Sequence, residues 1–228
     1  MNKIILALDT SSLEEAINTT KKIKNKIFTV KLGLEFFNAN GKDGIKKFNE
    51  IGITNLMLDL KLKDIPQTIY KAIKALDDIQ FGFITVHGQG GIEMINQAKK
   101  AASEIKSQPK IMIVTILTTL NDDDLKNMGN DNTVIQQVEK LAKVAKQTEV
   151  GVVCSGHEAK IVRKIIGPNL LIFTPGIRMA NDSKNDQKRV CTPAESIKNG
   201  SNKIIMGRSL IKGNIEENID KVSNSIKK

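Results

Sequence analysis

The stretch LMLDLKLKDIPQT, Leu56–Thr68, decides how the chain is read. Leucine alternates with Met57, Asp59 and Lys61, a period-two pattern that predicts a strand. Side chains alternate across a strand, so Met57, Asp59 and Lys61 share one face. Leu56, Leu58, Leu60 and Leu62 take the other, toward helices. Charge is costly in an apolar setting unless it is paired or used, so Asp59 and Lys61 predict partners or chemistry. Pro66 suits the first turn of a following helix. Asp64, two residues earlier, suits an interaction with that helix's positive N-terminus as well as a functional role.

Outward from this strand, short apolar or β-branched runs recur. They are Ile4–Asp9, Ile27–Lys31, Asn55–Leu60, Phe81–Val86, Lys110–Ile116, Val150–Cys154, Leu170–Thr174 and Lys203–Met206. Between them lie segments of helical period, marked by Leu13, Ala16, Ile17 and Ile23, by Ile69, Ile73 and Leu76, and by Val134, Val138, Leu141 and Ala145. Regular alternation of strand and helix argues for parallel strands joined by right-handed crossovers. Eight such units predict an α/β fold, a (β/α)₈ TIM barrel formed by residues 1–228 as one domain. An open doubly wound sheet is the structural alternative; no GxGxxG follows the first strand to support its nucleotide-binding form.

A barrel carries its active site at the C-terminal ends of its strands. There the sequence puts Asp9 on the first strand, Lys31 on the second, and Asp59 with Lys61 on the third. These residues alternate in sign. A salt-bridge network closing the barrel end would explain them, but charged clusters in a concave mouth are also where catalysis concentrates.

Composition narrows the function classes. Of 228 residues, 40% are hydrophobic and 26% charged, the balance of a soluble globular protein. The net charge is +10, yet lysines are scattered along helix faces, and with no Trp and one Tyr there are few platforms for bases. No nucleic-acid partner is expected; the charge suits attraction of small anions. Asp9 interrupts the apolar start before any signal-peptide core forms, and Ile111–Leu117 is too short to cross a bilayer, so no membrane association is expected. Cys154 and Cys191 make neither a disulfide framework nor a metal-ligand spacing, which suits a reducing cytoplasm.

The phosphate end of a site is also legible. The only arginines are Arg163, Arg178, Arg189 and Arg208, in a chain rich in lysine. Arg binds phosphate through a planar fork that Lys lacks, and barrels often hold phosphate after strands seven and eight. Arg208 follows Gly207 at the end of the eighth run. The polar segment Met179–Lys188 is a candidate lid or an ordinary surface loop. His87 is expected to make a structural hydrogen bond and His157 to start a helix.

The string Asp59-x-Lys61-x-x-Asp64-Ile65-Pro66-x-Thr68 resembles the active-site signature of the orotidine 5′-phosphate decarboxylase family. IILALD, VKLGLEFF, TVHGQGG, VVCSGHEA, TPGIR, DQKRV and IIMGRSL follow in the order seen in bacterial members, so the resemblance covers the whole chain. It implies a (β/α)₈ barrel that decarboxylates orotidine 5′-monophosphate to UMP without cofactor or metal. In this resemblance Lys61 is the proton donor and Asp59 lies near the departing carboxylate. Asp9 and Lys31 hold the ribose hydroxyls and complete the charge array. Thr118 matches a position that contacts the pyrimidine; a helix N-cap or a loop hydroxyl is the alternative. Ile65, Arg178, Gln187, Gly207 and Arg208 are implied in substrate binding, Gln187 on the phosphate. Members are homodimers, which implies that Asp64 and Thr68 reach the neighbouring subunit's site. GQG after His87 departs from the ASG common in bacterial relatives. Hexulose-6-phosphate synthase and 3-keto-gulonate-6-phosphate decarboxylase share the Asp-x-Lys-x-x-Asp core but typically use magnesium and a sugar phosphate; Ile65-Pro66-x-Thr68, TPGIR–DQKRV and Arg208 favour orotidylate. An RNA-binding protein would account for the charge but not for the ordered mouth residues.

Overall fold

The computed structural model describes residues 2–179 and 190–227. The strands are β1 (Ile4–Leu8), β2 (Thr29–Gly33), β3 (Met57–Leu62), β4 (Phe83–His87), β5 (Lys110–Val114), β6 (Gly151–Val153), β7 (Ile172–Thr174) and β8 (Lys203–Met206). They pair in chain order, all parallel, and β8 returns to β1 to close a barrel, as the alternation of strand and helix predicts. An open sheet is thereby excluded.

The helices are α1 (Leu13–Ile23), α2 (Leu34–Glu50), α3 (Pro66–Lys74), α4 (Gly91–Ser103), α5 (Asp122–Asn127), α6 (Val134–Thr148), α7 (Ala159–Ile166), α8 (Pro193–Lys198), α9 (Arg208–Ile211) and α10 (Ile215–Lys227). Local chemistry fixes their starts. Ser12 caps α1 by accepting from the Glu15 N–H, and reciprocal capping boxes open α5 (Asn121 with Asp124) and α6 (Thr133 with Gln136). Pro66 occupies the first turn of α3, as expected. In α2 the helix breaks at Gly41, whose φ of 57° favours glycine. α5 and α9 are too short to show a periodic stripe in sequence.

Two hydrophobic clusters result from the strand alternation. Leu56, Leu58 and Leu60 join Ile69 and Ile73 of α3 in the layer between barrel and helices. Met57 instead points inward with Ile5, Phe83, Met112 and Phe173. Phe28, Phe83 and Phe173 pack with ring centroids 5.1–6.4 Å apart, and Lys203 Nζ lies 3.8 Å from the Phe28 ring centre. Phe28 precedes β2 and Phe83 begins β4, so this aromatic group fills the N-terminal floor. Polar groups are left for the opposite end.

β3 differs from the expected Asn55–Leu60. It starts at Met57 and runs on to Leu62 because it re-pairs with β4 beyond an irregularity. Leu58 faces Ile84 and Leu62 faces Val86, so four steps on β3 oppose two on β4. The surplus residues form a bulge at the barrel mouth, a device that re-aims side chains. β5 is shorter than expected, ending at Val114.

Candidate active site

The bulge carries Asp59 and Lys61. Lys61 has φ 47°, a left-handed conformation that costs a non-glycine residue of order 1 kcal/mol or more. Thr85 on β4 holds it there. The Lys61 backbone N–H donates to Thr85 Oγ1 at 2.9 Å, and the Thr85 hydroxyl donates to Asp59 Oδ1 at 2.9 Å. With its backbone turned in this way, Lys61 returns its ammonium to Asp59 Oδ2, 2.9 Å away.

Asp59 Oδ2 also lies 3.3 Å from Lys31 Nζ, which in turn lies 3.3 Å from Asp9 Oδ1. The four residues therefore form one continuous chain, Asp9–Lys31–Asp59–Lys61, across β1, β2 and β3. Gly33 leaves room for it: a Cβ there would sit 3.3 Å from Lys31 Nζ. Asp59 and Lys31 are each 8% exposed, so water screens them little. Taking an ion out of water costs several kcal/mol, whereas opposite charges about 3 Å apart attract by roughly 5 kcal/mol at an effective dielectric near 20. Asp59 has two such partners and a hydroxyl donor, so attraction wins. Burial pushes its carboxyl up, but Lys31, Lys61 and Thr85 more than offset this and hold it below the usual carboxylate value. Burial likewise pushes Lys31 down, and Asp59 with Asp9 outweighs it to leave the ammonium above its ordinary value. Both stay charged at neutral pH.

These groups open into a cleft of about 320 Å³ at the C-terminal ends of the strands. Thr118, Arg178, Gly207 and Arg208 line it with the four array residues. Thr118 lies in the turn closed by the Leu120 N–H donating to the Leu117 carbonyl, not at a helix cap. Arg178 is buried and donates to the Ile177 carbonyl at 2.9 Å. Arg208 is the first residue of α9, directly after Gly207. A Cβ on Gly207 would meet the Ala7 carbonyl at 3.3 Å, so glycine suits the close approach of this turn to β1.

Asp64, Ile65 and Thr68 are exposed and do not line this cleft. Asp64 Oδ1 accepts from the Ile65 N–H at 2.6 Å, at the start of α3. Gln187 and most of the expected lid, Met179–Lys188, lie outside the described residues, as does Arg189.

Thr85 is the site residue that the sequence reading passes over. Its signal is a hydroxyl on the inward face of FITVH, in register with Phe83 and His87. Arg163 is a structural arginine: it donates to the carbonyls of Gly167, Leu170 and Gly200 at 2.6–3.2 Å, tying α7 to the turns that precede β7 and β8. His87 does not make the expected hydrogen bond through Nδ1, which is buried without a partner among the described residues. Burial first, then Lys63 and Lys61, hold its pKa below the ordinary value, so the ring is neutral. His157 lies in the turn before α7 instead of starting the helix, because Glu158 folds back to accept from the Ser155 N–H at 3.0 Å.

Comparisons with known proteins agree with this architecture. Residues 2–219 match the model of the family described as orotidine 5′-phosphate decarboxylase / HUMPS. An orotidine 5′-phosphate decarboxylase of Wolbachia pipientis subsp. Culex pipiens is 41% identical over 211 residues, 92% of each chain. One of Sphingopyxis alaskensis is 39% identical over 208 residues, 91% of each chain. Among solved structures, orotidine 5′-phosphate decarboxylase from Lactobacillus acidophilus superposes with a TM-score of 0.84 at 34% identity, covering all of both chains.

Proposed function

This chain belongs to the orotidine 5′-phosphate decarboxylase / HUMPS family, and we propose that it converts orotidine 5′-monophosphate to UMP in pyrimidine biosynthesis. The observation that carries the reading is the continuous Asp9–Lys31–Asp59–Lys61 array in a cleft that Arg178 and Arg208 also line. A nucleotide with an acidic base needs both kinds of group, a proton-bearing cation for the base and guanidinium groups for the phosphate.

The reaction breaks the bond between C6 of the pyrimidine and its carboxylate. Carbon dioxide leaves, and the electron pair remains on C6 with little resonance help. Lys61 offers a fixed ammonium to that developing charge and then transfers a proton to C6, giving UMP. Solvent returns the proton to Lys61. Asp59 orients the Lys61 ammonium through the 2.9 Å contact. Lys31 keeps Asp59 ionised, and with Asp9 it serves the ribose hydroxyls. Thr118 faces the base, while Arg178, the Gly207 backbone, Arg208 and Gln187 serve the phosphate end. Binding energy from the remote phosphate then supports chemistry at C6. The residues in this scheme supply acid and charge stabilisation themselves, so neither metal nor cofactor takes part.

The protein acts as a single-domain cytoplasmic homodimer in this reading. Asp64, Ile65 and Thr68 are exposed and do not line their own cleft, which supports the reading that they complete a neighbouring subunit's site. No helix among the described residues is long and apolar enough to cross a membrane.

The test is ultraviolet-monitored turnover of orotidine 5′-monophosphate by purified protein with EDTA present, beside Lys61→Ala. Expected is stoichiometric UMP from the wild type and a loss of at least about a thousandfold in the variant, with an unchanged circular dichroism spectrum. Substantial turnover by Lys61→Ala would remove Lys61 as donor. Inactivity of well-folded wild-type protein would overturn the reading and direct the assay to sugar phosphates with magnesium.

A further inference from the structure

Behind the cleft, the loops after β6 and β7 bring together three residues that the decarboxylation does not use. His157 comes from the first loop, Cys191 from the end of the second, and Glu195 from the first turn of α8 that follows it. One donor atom from each lies within 4.8 Å of the others. We propose that His157, Cys191 and Glu195 form a binding site for a zinc-class divalent cation, which pins the two loops together.

The histidine is oriented as a ligand. His157 Nε2 lies 2.6 Å from the Val190 carbonyl, and a carbonyl only accepts, so Nε2 carries the hydrogen. A neutral ring then presents a lone pair at Nδ1, and Nδ1 lies 3.5 Å from Glu195 Oε1. Two lone-pair atoms facing each other at that distance repel unless a proton or a metal ion sits between them. Metal-bound histidines characteristically donate their other N–H to a carbonyl in this manner. Tetrahedral zinc with nitrogen, oxygen and sulfur ligands separates the ligand atoms by roughly 3.3–3.6 Å, which the Nδ1–Oε1 spacing meets.

The third ligand is held by backbone. Cys191 donates its N–H to the Gly176 carbonyl at 3.2 Å and accepts at its own carbonyl from the Arg178 N–H at 3.0 Å. Gly156 makes room for it, since a Cβ there would fall 2.8 Å from Cys191 Sγ. Burial and the Glu195 carboxylate push the Cys191 thiol up to about 12, so the sulfur is protonated in the absence of a cation. Coordination therefore forms the metal–sulfur bond and releases the thiol proton to solvent. His157 and Glu195 side chains are 49% and 47% exposed, which gives the ion a path in and leaves a coordination position for water. Mixed sulfur, nitrogen and oxygen donors suit Zn²⁺ and Co²⁺ and exclude a preference for Mg²⁺.

Spacing alone does not reveal the site, because His157 stands on a different loop from Cys191 and Glu195. Its test is independent of turnover. Tag-free protein, dialysed against chelator under reducing conditions, is titrated with Zn²⁺ by calorimetry and with Co²⁺ by absorption spectroscopy. Expected are one ion per chain, a near-ultraviolet sulfur-to-cobalt band, and a rise in Tm with Zn²⁺. Cys191→Ser should abolish the band, and His157→Gln, at a half-exposed position, should weaken Zn²⁺ binding at least tenfold. The Cys191→Ser result also separates this site from Cys154, the other cysteine. No band in the wild type, or equal Zn²⁺ affinity in wild type and His157→Gln, would overturn the proposal.

Discussion

Thr85 shows how much a single hydroxyl can organise. It accepts from the backbone of the proposed proton donor and donates to the carboxylate that orients that donor. Thr85→Val keeps the shape and removes both bonds. The variant should lose about 1–3 kcal/mol of stability, because Asp59 and the Lys61 N–H are left short of a partner. Turnover should fall about ten- to a hundredfold, since small displacements of a reacting group are costly. Urea denaturation and steady-state kinetics check the pair; wild-type kcat would mean that the bulge holds Lys61 unaided. The charge array has its own pH signature. The Asp59 carboxyl lies below its ordinary value of 3.8 in the folded state, so its stabilisation is complete above that pH and is lost as pH falls through the lowered value. The Lys31 ammonium lies above its ordinary 10.5, so its stabilisation is complete below that pH and is lost as pH rises through the raised value. The Tm difference between wild type and Asp59→Asn should therefore be flat from about pH 5 to 9 and shrink below about pH 4. A difference that changes near neutrality would show that another group controls the array.

At the scale of elements, the turn from β8 into α9 places Arg208 at the cleft with a backbone that needs glycine just before it. A charge-assisted bond to phosphate is worth roughly 1.5–3 kcal/mol, so Arg208→Ala should lower kcat/KM for orotidine 5′-monophosphate by about ten- to a hundredfold. Its slow turnover of orotidine, which has no phosphate, should be nearly unchanged. Equal losses on both substrates would place Arg208 elsewhere in the mechanism. The elements themselves were largely readable. Alternation put Met57, Asp59 and Lys61 on one face of β3 and the leucines on the other, and eight repeats closed as a barrel. Charges in an apolar run announce themselves, which is why the array was legible. The bulge was not, because it depends on register with β4, a property of two strands and not one. Thr85 escaped notice because threonine is an ordinary strand residue. Arg163 looked like the other arginines; only the carbonyls that surround it mark it as a structural tie.

Across the whole molecule, charge and apolar surface are distributed unevenly around the mouth. The cleft is lined by Lys31, Lys61, Arg178 and Arg208 against Asp9 and Asp59, a local excess of cations that suits an anionic nucleotide. Five of the seven exposed large apolar side chains among the described residues stand in the loops and first helical turns that follow β2, β3, β4 and β5, namely Leu34 (52% exposed), Ile65 (67%), Ile92 (37%), Leu117 (37%) and Met128 (61%); the others are Ile135 in α6 and Ile211 in α9. Those strands are consecutive, so the five residues flank one side of the mouth. An exposed apolar region beside a site is a natural contact surface for a second copy. Asp64 and Thr68 rise from the same side and miss their own cleft. If Asp64 completes the partner's site, Lys61→Ala and Asp64→Asn should each be nearly inactive alone. Mixed, unfolded together and refolded, they should regain activity. Random pairing makes about half the dimers mixed, and each mixed dimer holds one intact site and one doubly altered site, so about a quarter of wild-type turnover should return. If Asp64 serves its own barrel, every site in the mixture carries one lesion and no activity returns. Size-exclusion chromatography of the mixture, run beside the assay, separates that outcome from a failure to pair.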